Sequence, residues 1–310
     1  MGMTSQHLLG PHVVGTRIVV RRILRGETGP SGGPALTDLL GVCTSWGDGV
    51  CVVQPETGDP VTIATADIVS GKPVPPRPAP RLRVSPAEAQ LRAMALWPDL
   101  ETRPLGDWLL RHSPASRARR ANSVLAMAPS GVADDYDQVV DFYAARGGRP
   151  IAAVLPDSDE DALFRSHGWV PESHDADTLF QLAGVAGARR AVVSRQDLVL
   201  PPPPVQLEET GHLVIARLDE RASGVAAYDR DWVGFRSIEV DPEHRRQGLG
   251  LLIMSALLEW GAEQGATTAY LQVLGDNTPA LRLYDRLGFT THHAYRYLAP
   301  PDRPPAQRSD

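Results

Sequence analysis

Between Phe235 and Gly265 the spacing of apolar residues changes period, and that change constrains the fold more than any other part of the chain. Phe235 to Val240 alternates apolar or β-branched residues with polar ones and predicts a strand. Asp241-Pro242 ends it, because proline donates no hydrogen bond to a ladder. Arg245, Arg246, Gln247, Gly248, Leu249 and Gly250 predict a tight turn. From Leu249 the period becomes helical. Leu249, Leu252, Ile253, Ala256, Leu257 and Trp260 share one face, and Gly265 is placed to close the C-terminus. A strand, a glycine-containing turn and a helix gather free backbone N–H groups at one point, where the helix dipole adds partial positive charge. Gly248 and Gly250 let a ligand approach the backbone closely, and Arg245 and Arg246 add full charge beside it. The natural guest is a pyrophosphate. Glycines kept only for packing would produce the same turn, since short glycine motifs recur widely.

A second motif narrows the choice. The turn, R-x-x-G-x-G after V-D-P-E, is followed one helix and one strand later by D-N-T-P-A-L-R-L-Y-D-R-L-G-F. The pair at this separation resembles the GNAT family of N-acetyltransferases, over about the last hundred residues. The resemblance implies an α/β chain of the α+β kind: a strongly bent mixed sheet that splays open, with the pantetheine arm of acetyl-CoA in the gap. It implies that Arg245, Arg246, Gln247, Gly248, Leu249 and Gly250 hold the pyrophosphate of this co-substrate, and that the backbone of Ile238 to Val240 pairs with the pantetheine. Asn277 matches an asparagine that faces the coenzyme, although an ordinary helix N-cap would also place it there. Tyr284 matches the tyrosine that protonates the departing thiolate; the alternative is a core tyrosine with a satisfied hydroxyl. Glu239, on the same strand as Ile238 and Val240, is the candidate base. The alternative pairs it structurally with Arg236 or Arg282. In some peptide-N-terminal acetyltransferases of the family a glutamate stands where this chain has Gln272, and an amide cannot take a proton.

The remainder divides by composition. Short alternating strands and turn signals over residues 11–72 predict a small all-β, SH3-like barrel. Residues 73–84 form a proline-rich linker. Residues 85–183 read as helices and strands ending in A-L-F-R-S-H-G-W, an echo of L-R-L-Y-D-R-L-G-F, and suggest a degenerate GNAT-like half without the glycine turn. The catalytic half covers 184–299, and 300–310 is a tail rich in proline and charge. The helices that normally open the catalytic half, as a wall of the acceptor site, are not visible after residue 184. Arg111, Arg117, Arg119 and Arg120 read as a solvated loop, with a patch for an acidic acceptor as the alternative. His292 and His293, as successive strand residues, are expected to face opposite ways.

The formal net charge of −6 disfavours nucleic acid as a partner. No apolar run reaches the length of a membrane span. Cys43 and Cys51 have no metal-type partners in their neighbourhood, no histidine has metal-ligand spacing, and a reduced, cytoplasmic protein without a metal is expected. The amine acceptor and the oligomeric state are not written in the sequence. An enzyme like mycothiol synthase, or a coenzyme A sensor with the barrel as its output, are the alternatives to a general amine acetyltransferase.

Overall fold

The computed structural model describes residues 9–29, 32–74, 80–172, 176–193 and 204–301. Residues 75–79 of the proline-rich linker, the prolines at 201–203, His174 and the tail beyond 301 lie outside the described residues. The chain forms two compact units, Met1–Ala79 and Pro80–Asp310.

The first unit is one antiparallel sheet of β1 (Arg17–Thr28), β2 (Pro34–Gly47), β3 (Val50–Pro55), β4 (Val61–Ala64) and β5 (Ile68–Pro73), in the order β4-β3-β2-β1-β5. Among the described residues no pairing joins β4 to β5, so the hydrogen-bonded sheet is open. Its core holds Val13, Ile18, Val20, Cys43, Cys51, Val53 and Ile63. The two thiols lie 3.9 Å apart and are not bonded. Burial, with help from Cys43, pushes the Cys51 thiol up to about 12, so it acts as a small buried hydrophobe. Because each unit buries a core of its own, a chain begun at Pro80 is expected to melt cooperatively without the first unit. Calorimetry checks this, and an insoluble product or a broad, heatless transition would count against it.

The second unit begins with α1 (Pro86–Arg92), whose N-cap Ser85 accepts from Glu88 N at 3.1 Å with Pro86 in the first turn. Next come β6 (Glu101–Leu105), β7 (Trp108–His112), β8 (Val124–Ala126), α2 (Asp135–Ala144), β9 (Ala152–Val154), α3 (Asp159–Ser166), β10 (Val170–Pro171), β11 (Thr178–Gly184) and α4 (Val185–Val193). The rest of the unit is β12 (Gln206–Thr210), β13 (Leu213–Leu218), β14 (Ala222–Asp229), β15 (Trp232–Val240), α5 (Leu249–Glu263), β16 (Thr268–Leu274), α6 (Thr278–Arg286) and β17 (Thr290–Ala299).

The sheet runs β12-β13-β14-β15-β16-β11-β17-β9-β8-β7-β6, with β10 added beside β17. Two stretches of this sheet repeat one plan. β8 and β9 are parallel with α2 between them and α3 after, as β15 and β16 are parallel with α5 between them and α6 after. The two halves share one continuous sheet. β11 lies between β16 and β17, while the last residues of β17, Arg296 to Leu298, pair with β9. The physical reason is that β11 is apolar on both faces. Phe180 and Leu182 face one core and Ala183 the other, so it belongs at the centre of a sheet rather than at an edge.

The face of the sheet away from α5 is covered by residues from the start of this unit. α1 and the 3-10 turn after it (Ala93–Leu96) bury Ala89, Ala93 and Leu96 against Phe180, Leu182, Trp232 and Tyr270, on the face of the sheet away from α5. The residues that cover this face therefore precede the catalytic strands by more than a hundred positions. Tyr270 lies so close over Gly234 that a Cβ there would meet its ring carbon at 2.0 Å, which explains a glycine in mid-strand. α4, unexpected from the sequence, packs Val185, Ala188 and Val192 into the α5 side of the core.

Candidate active site

β15 pairs with β14 to its end at Val240, but with β16 only from Trp232 to Phe235. The parting is caused locally. Opposite Gly224, β15 carries the two residues Ser237 and Ile238, a bulge, and Ser237 sits at φ 51, in left-handed backbone that a serine rarely adopts. The bulge bends β15 away from β16, and the backbone of Ile238 to Val240 loses its β16 neighbour. A fork results, open along one edge of β15, which is an unpaired template for extended groups.

At the mouth of the fork stands the turn. Arg246 (φ 63) and Gly248 (φ 81) are both left-handed, and Gly248 is the N-cap of α5 with no side chain capping it. The first N–H groups of α5 therefore have no intrahelical partner. A Cβ on Gly248 would meet nothing within 4 Å, so backbone conformation selects this glycine. Gly250 differs: a Cβ there would meet only Val240 Cγ2 at 3.6 Å and Leu283 Cδ2 at 3.7 Å, ordinary contacts. Neither conformation nor packing demands a glycine at 250. Arg245, Arg246 and Gln247 are exposed; Arg245 Nε donates to Val240 O at 3.3 Å and Gln247 Nε2 reaches Glu243 O at 3.5 Å. Leu249 is buried under the turn. Uncapped amides, two cations and an open glycine fit the pyrophosphate of acetyl-CoA, and the free edge of Ile238 to Val240 fits a chain of amides.

The plan repeated in the first half lacks these features. There, an open cavity is lined by Ser130, Asp135, Asp159 and Glu160, beside the N-termini of α2 and α3. An acidic lining repels a pyrophosphate.

Asn277 caps α6, its Oδ1 accepting from Ala280 N at 3.3 Å, and is exposed. Tyr284, on α6, is 8% exposed, with its ring tilted against Phe289 at 5.9 Å. Among the described residues its hydroxyl has no hydrogen-bond partner. Burial pushes this hydroxyl up to about 12, while the charge of Arg120 pulls the other way. Glu239 is exposed. Ile238 and Val240 lean toward α5 and α6, and Glu239 stands on the other side. It pairs with neither Arg236 nor Arg282; Arg236 instead donates to Leu96 O at 3.0 Å and covers the ring of Trp97.

Two expectations about charged and aromatic residues are overturned. Of the basic run of the first half, Arg117 is exposed, but Arg111, Arg119 and Arg120 are not part of a solvated loop. Arg111 is buried and held by Ser123, with Nη2 to Oγ at 2.8 Å; Arg119 pairs with Glu172 at 2.8 Å. Arg120 crosses to β16, where Nε donates to Gln272 Oε1 and Nη2 to Gln272 O, both at 3.2 Å. His292 and His293 do not face opposite ways. Phe180 opposes His293 and Gln181 opposes Thr291, so His292 is an extra, bulged residue and the two rings meet at 2.7 Å between Nδ1 atoms. Burial, then His292, drives the His293 imidazole down to about 3. Between pH 6.5 and 3 the unfolded chain therefore binds a proton here that the folded chain refuses, and stability falls as pH falls through this window. His293→Phe keeps the stack on Phe180. It is expected to flatten the decline of melting temperature between pH 7 and 4, and a variant as acid-sensitive as the parent would refute the assignment.

No helix of the described residues is long and apolar enough to cross a membrane, and none of their His, Cys, Asp and Glu side chains group as a metal site. Residues 88–298 match the family described as "Probable histone acetyltransferase Rv0428c C-terminal". The chain is 29% identical over 305 residues to the probable histone acetyltransferase Rv0428c of Mycobacterium tuberculosis (strain ATCC 25618 / H37Rv), covering 92% of this chain and 95% of that one. It is 30% identical over 152 residues to the mycothiol acetyltransferase of Amycolatopsis mediterranei (strain U-32), covering 47% of this chain and 48% of the relative. Among solved structures, a GCN5-related N-acetyltransferase from Kribbella flavida shares the fold, with a TM-score of 0.51 and 17% identity over 70% of this chain and 95% of that one. With its forked sheet, glycine turn and this match over most of its length, the chain belongs to the Rv0428c C-terminal family and is an acetyltransferase of the GNAT type.

Proposed function

We propose that the chain transfers the acetyl group of acetyl-CoA to a primary amine by direct attack in a ternary complex. The observation that carries this reading is the fork between β15 and β16, with the uncapped start of α5 and two exposed arginines at its mouth. When bound, acetyl-CoA supplies a thioester whose carbonyl carbon takes the amine lone pair as the C–S bond breaks. Arg245, Arg246 and the amides of Gly248, Leu249 and Gly250 hold the pyrophosphate, with Gln247 beside them. The backbone of Ile238 to Val240 holds the pantetheine amides, and Asn277 borders them at the start of α6. Glu239 accepts the amine's proton, directly or through water, because an alkylammonium has no lone pair to attack with. Tyr284 donates a hydrogen bond, and finally a proton, to the departing sulfur. The domain arrangement that goes with this reading is a first half that shapes the acceptor side and a second that holds the coenzyme.

The identity to a mycothiol acetyltransferase over about half of each chain favours a second reading, in which the acceptor is of the kind that relative uses. One screen separates the two. The protein is incubated with acetyl-CoA and a panel of amines, amino acids, peptides and amino sugars, and each product is weighed by mass spectrometry. Gain of one acetyl mass by an amine, with release of thiol, supports the proposal. Thiol release at the same rate with and without every amine would overturn it.

A further inference from the structure

The side of the fork away from α5 holds a hydrogen-bond relay. Gln272 is the residue of β16 just past Leu271, the last that pairs with β15. Its neighbours Leu271 and Val273 join the core under α5, so its side chain rises on the other face, as that of Tyr270 does. Three groups converge on it there. Arg120 Nε donates to Oε1 at 3.2 Å, Arg120 Nη2 donates to the main-chain oxygen at 3.2 Å, and Tyr295 Oη donates to Oε1. Since Tyr295 spends its proton on Gln272, the contact of 3.1 Å between Tyr295 Oη and Tyr297 Oη is donated by Tyr297.

This arrangement fixes which way the amide points. A carbonyl oxygen has two lone pairs, and Arg120 and Tyr295 use both. The reverse orientation would set an NH2 against a guanidinium, which has only donors, so it is excluded. Gln272 Nε2 is thereby turned away from Arg120 and makes no hydrogen bond among the described residues. Arg120 is engaged on this side as well, since its guanidinium also reaches the Tyr295 hydroxyl. Gln272 is half-buried, so water serves this donor less well than at an open surface.

We propose that Arg120 and Tyr295 are positioning residues that set Gln272 as a hydrogen-bond donor at the fork, and that the acceptor is an amine with a carbonyl or carboxylate oxygen beside its nitrogen. An oxygen next to the amine accepts from Gln272 Nε2. A bare alkylamine leaves this donor unmet. The α-amine of an amino acid or of a peptide has this chemistry; the far end of a lysine side chain does not. This inference rests on the acetyl-transfer reading above and adds the class of acceptor to it.

The test compares alaninamide, alanine and isopropylamine, which share a carbon skeleton but differ in the oxygen. For each, kcat/KM with acetyl-CoA is measured and referred to the free-amine concentration. The wild-type protein is expected to favour the better oxygen-bearing acceptor over isopropylamine by about a hundredfold, since sites built to hydrogen-bond a substrate reject analogues that lack the group. A lead for alaninamide assigns a peptide-like carbonyl, and a lead for alanine a carboxylate. Gln272→Met should collapse the ratio toward one, Arg120→Met should lower it, and Arg120→Lys should restore part of it. Binding of acetyl-CoA, measured by calorimetry, reports whether each variant is folded. Should Arg120→Met fail to fold, Gln272→Met and Arg120→Lys still decide. A wild-type ratio near one, or an equal loss on both kinds of acceptor in Gln272→Met with acetyl-CoA binding intact, would overturn the inference. If the wild-type protein binds no acetyl-CoA, the acetyl-transfer reading itself fails and this inference falls with it.

Discussion

Replacing Gly250 by aspartate is expected to abolish acetyl-CoA binding while the protein stays folded. The folded chain has room for the new Cβ, whose nearest contacts would be Val240 Cγ2 at 3.6 Å and Leu283 Cδ2 at 3.7 Å. A carboxylate in the first turn of α5 also complements the helix dipole, so the change should not lower the melting temperature. What it spoils is the ligand's place. A negative charge about 4 Å from a phosphate, at an effective dielectric near 20, costs about 4 kcal/mol, or roughly a thousandfold in affinity. Titration calorimetry measures the loss, and a thermal melt of the same sample shows that the fold survives. The repeated plan in the first half offers no second site to mask the effect, since its cavity is lined by Asp135, Asp159 and Glu160. Unchanged affinity in a folded Gly250→Asp protein would remove the pyrophosphate from this turn.

That turn was legible in the sequence because everything that makes it is local. Strand alternation, Asp241-Pro242, the two glycines and the stripe from Leu249 to Trp260 all lie within thirty residues. The fork itself was not legible. It depends on a bulge at Ser237 and Ile238, and a serine in left-handed backbone leaves no mark in composition. The exposure of Glu239 was not legible for the same reason: once β15 leaves β16, its outer face is open. His292 escaped in a similar way, because a bulge resets the alternation that assigned the two histidines to opposite faces. Long-range placements were beyond any periodicity. A helix opening at Ser85-Pro86 was visible, but not that it would cover Tyr270 and Trp232. Arg119-Arg120 stood out as charge, but nothing local says that Arg120 meets a residue 152 positions away. For α4, Val185, Ala188 and Val192 do follow a helical spacing, although Gly187 and the small residues around it obscure the stripe.

Tyr284→Phe is expected to lower turnover about a hundredfold, the usual worth of one positioned proton donor, and to leave acetyl-CoA binding nearly intact. The hydroxyl is the only polar atom removed, and its loss leaves no orphan, because it has no hydrogen-bond partner among the described residues. The ring keeps its place against Phe289. Burial holds the hydroxyl up to about 12, so Tyr284 keeps its proton at every pH where the enzyme would be assayed. An ordinary thiol titrates near 8.5, well below this, so full transfer to the sulfur runs uphill. Tyr284 therefore acts first as a hydrogen-bond donor to the charge growing on sulfur, and the nearby Arg120 charge, which lowers the cost of a tyrosinate, eases the transfer that follows. Its contribution should be flat in pH. The ratio of wild-type to Tyr284→Phe turnover is expected to stay constant from pH 6 to 9. Glu239→Gln, by contrast, should lose most at the acid end, where fewer amines are free and a base matters most. Rates in saturating acetyl-CoA across this range provide the measurement. If Tyr284→Phe turns over like its parent throughout, the thiolate leaves without this hydroxyl and Tyr284 is a core residue.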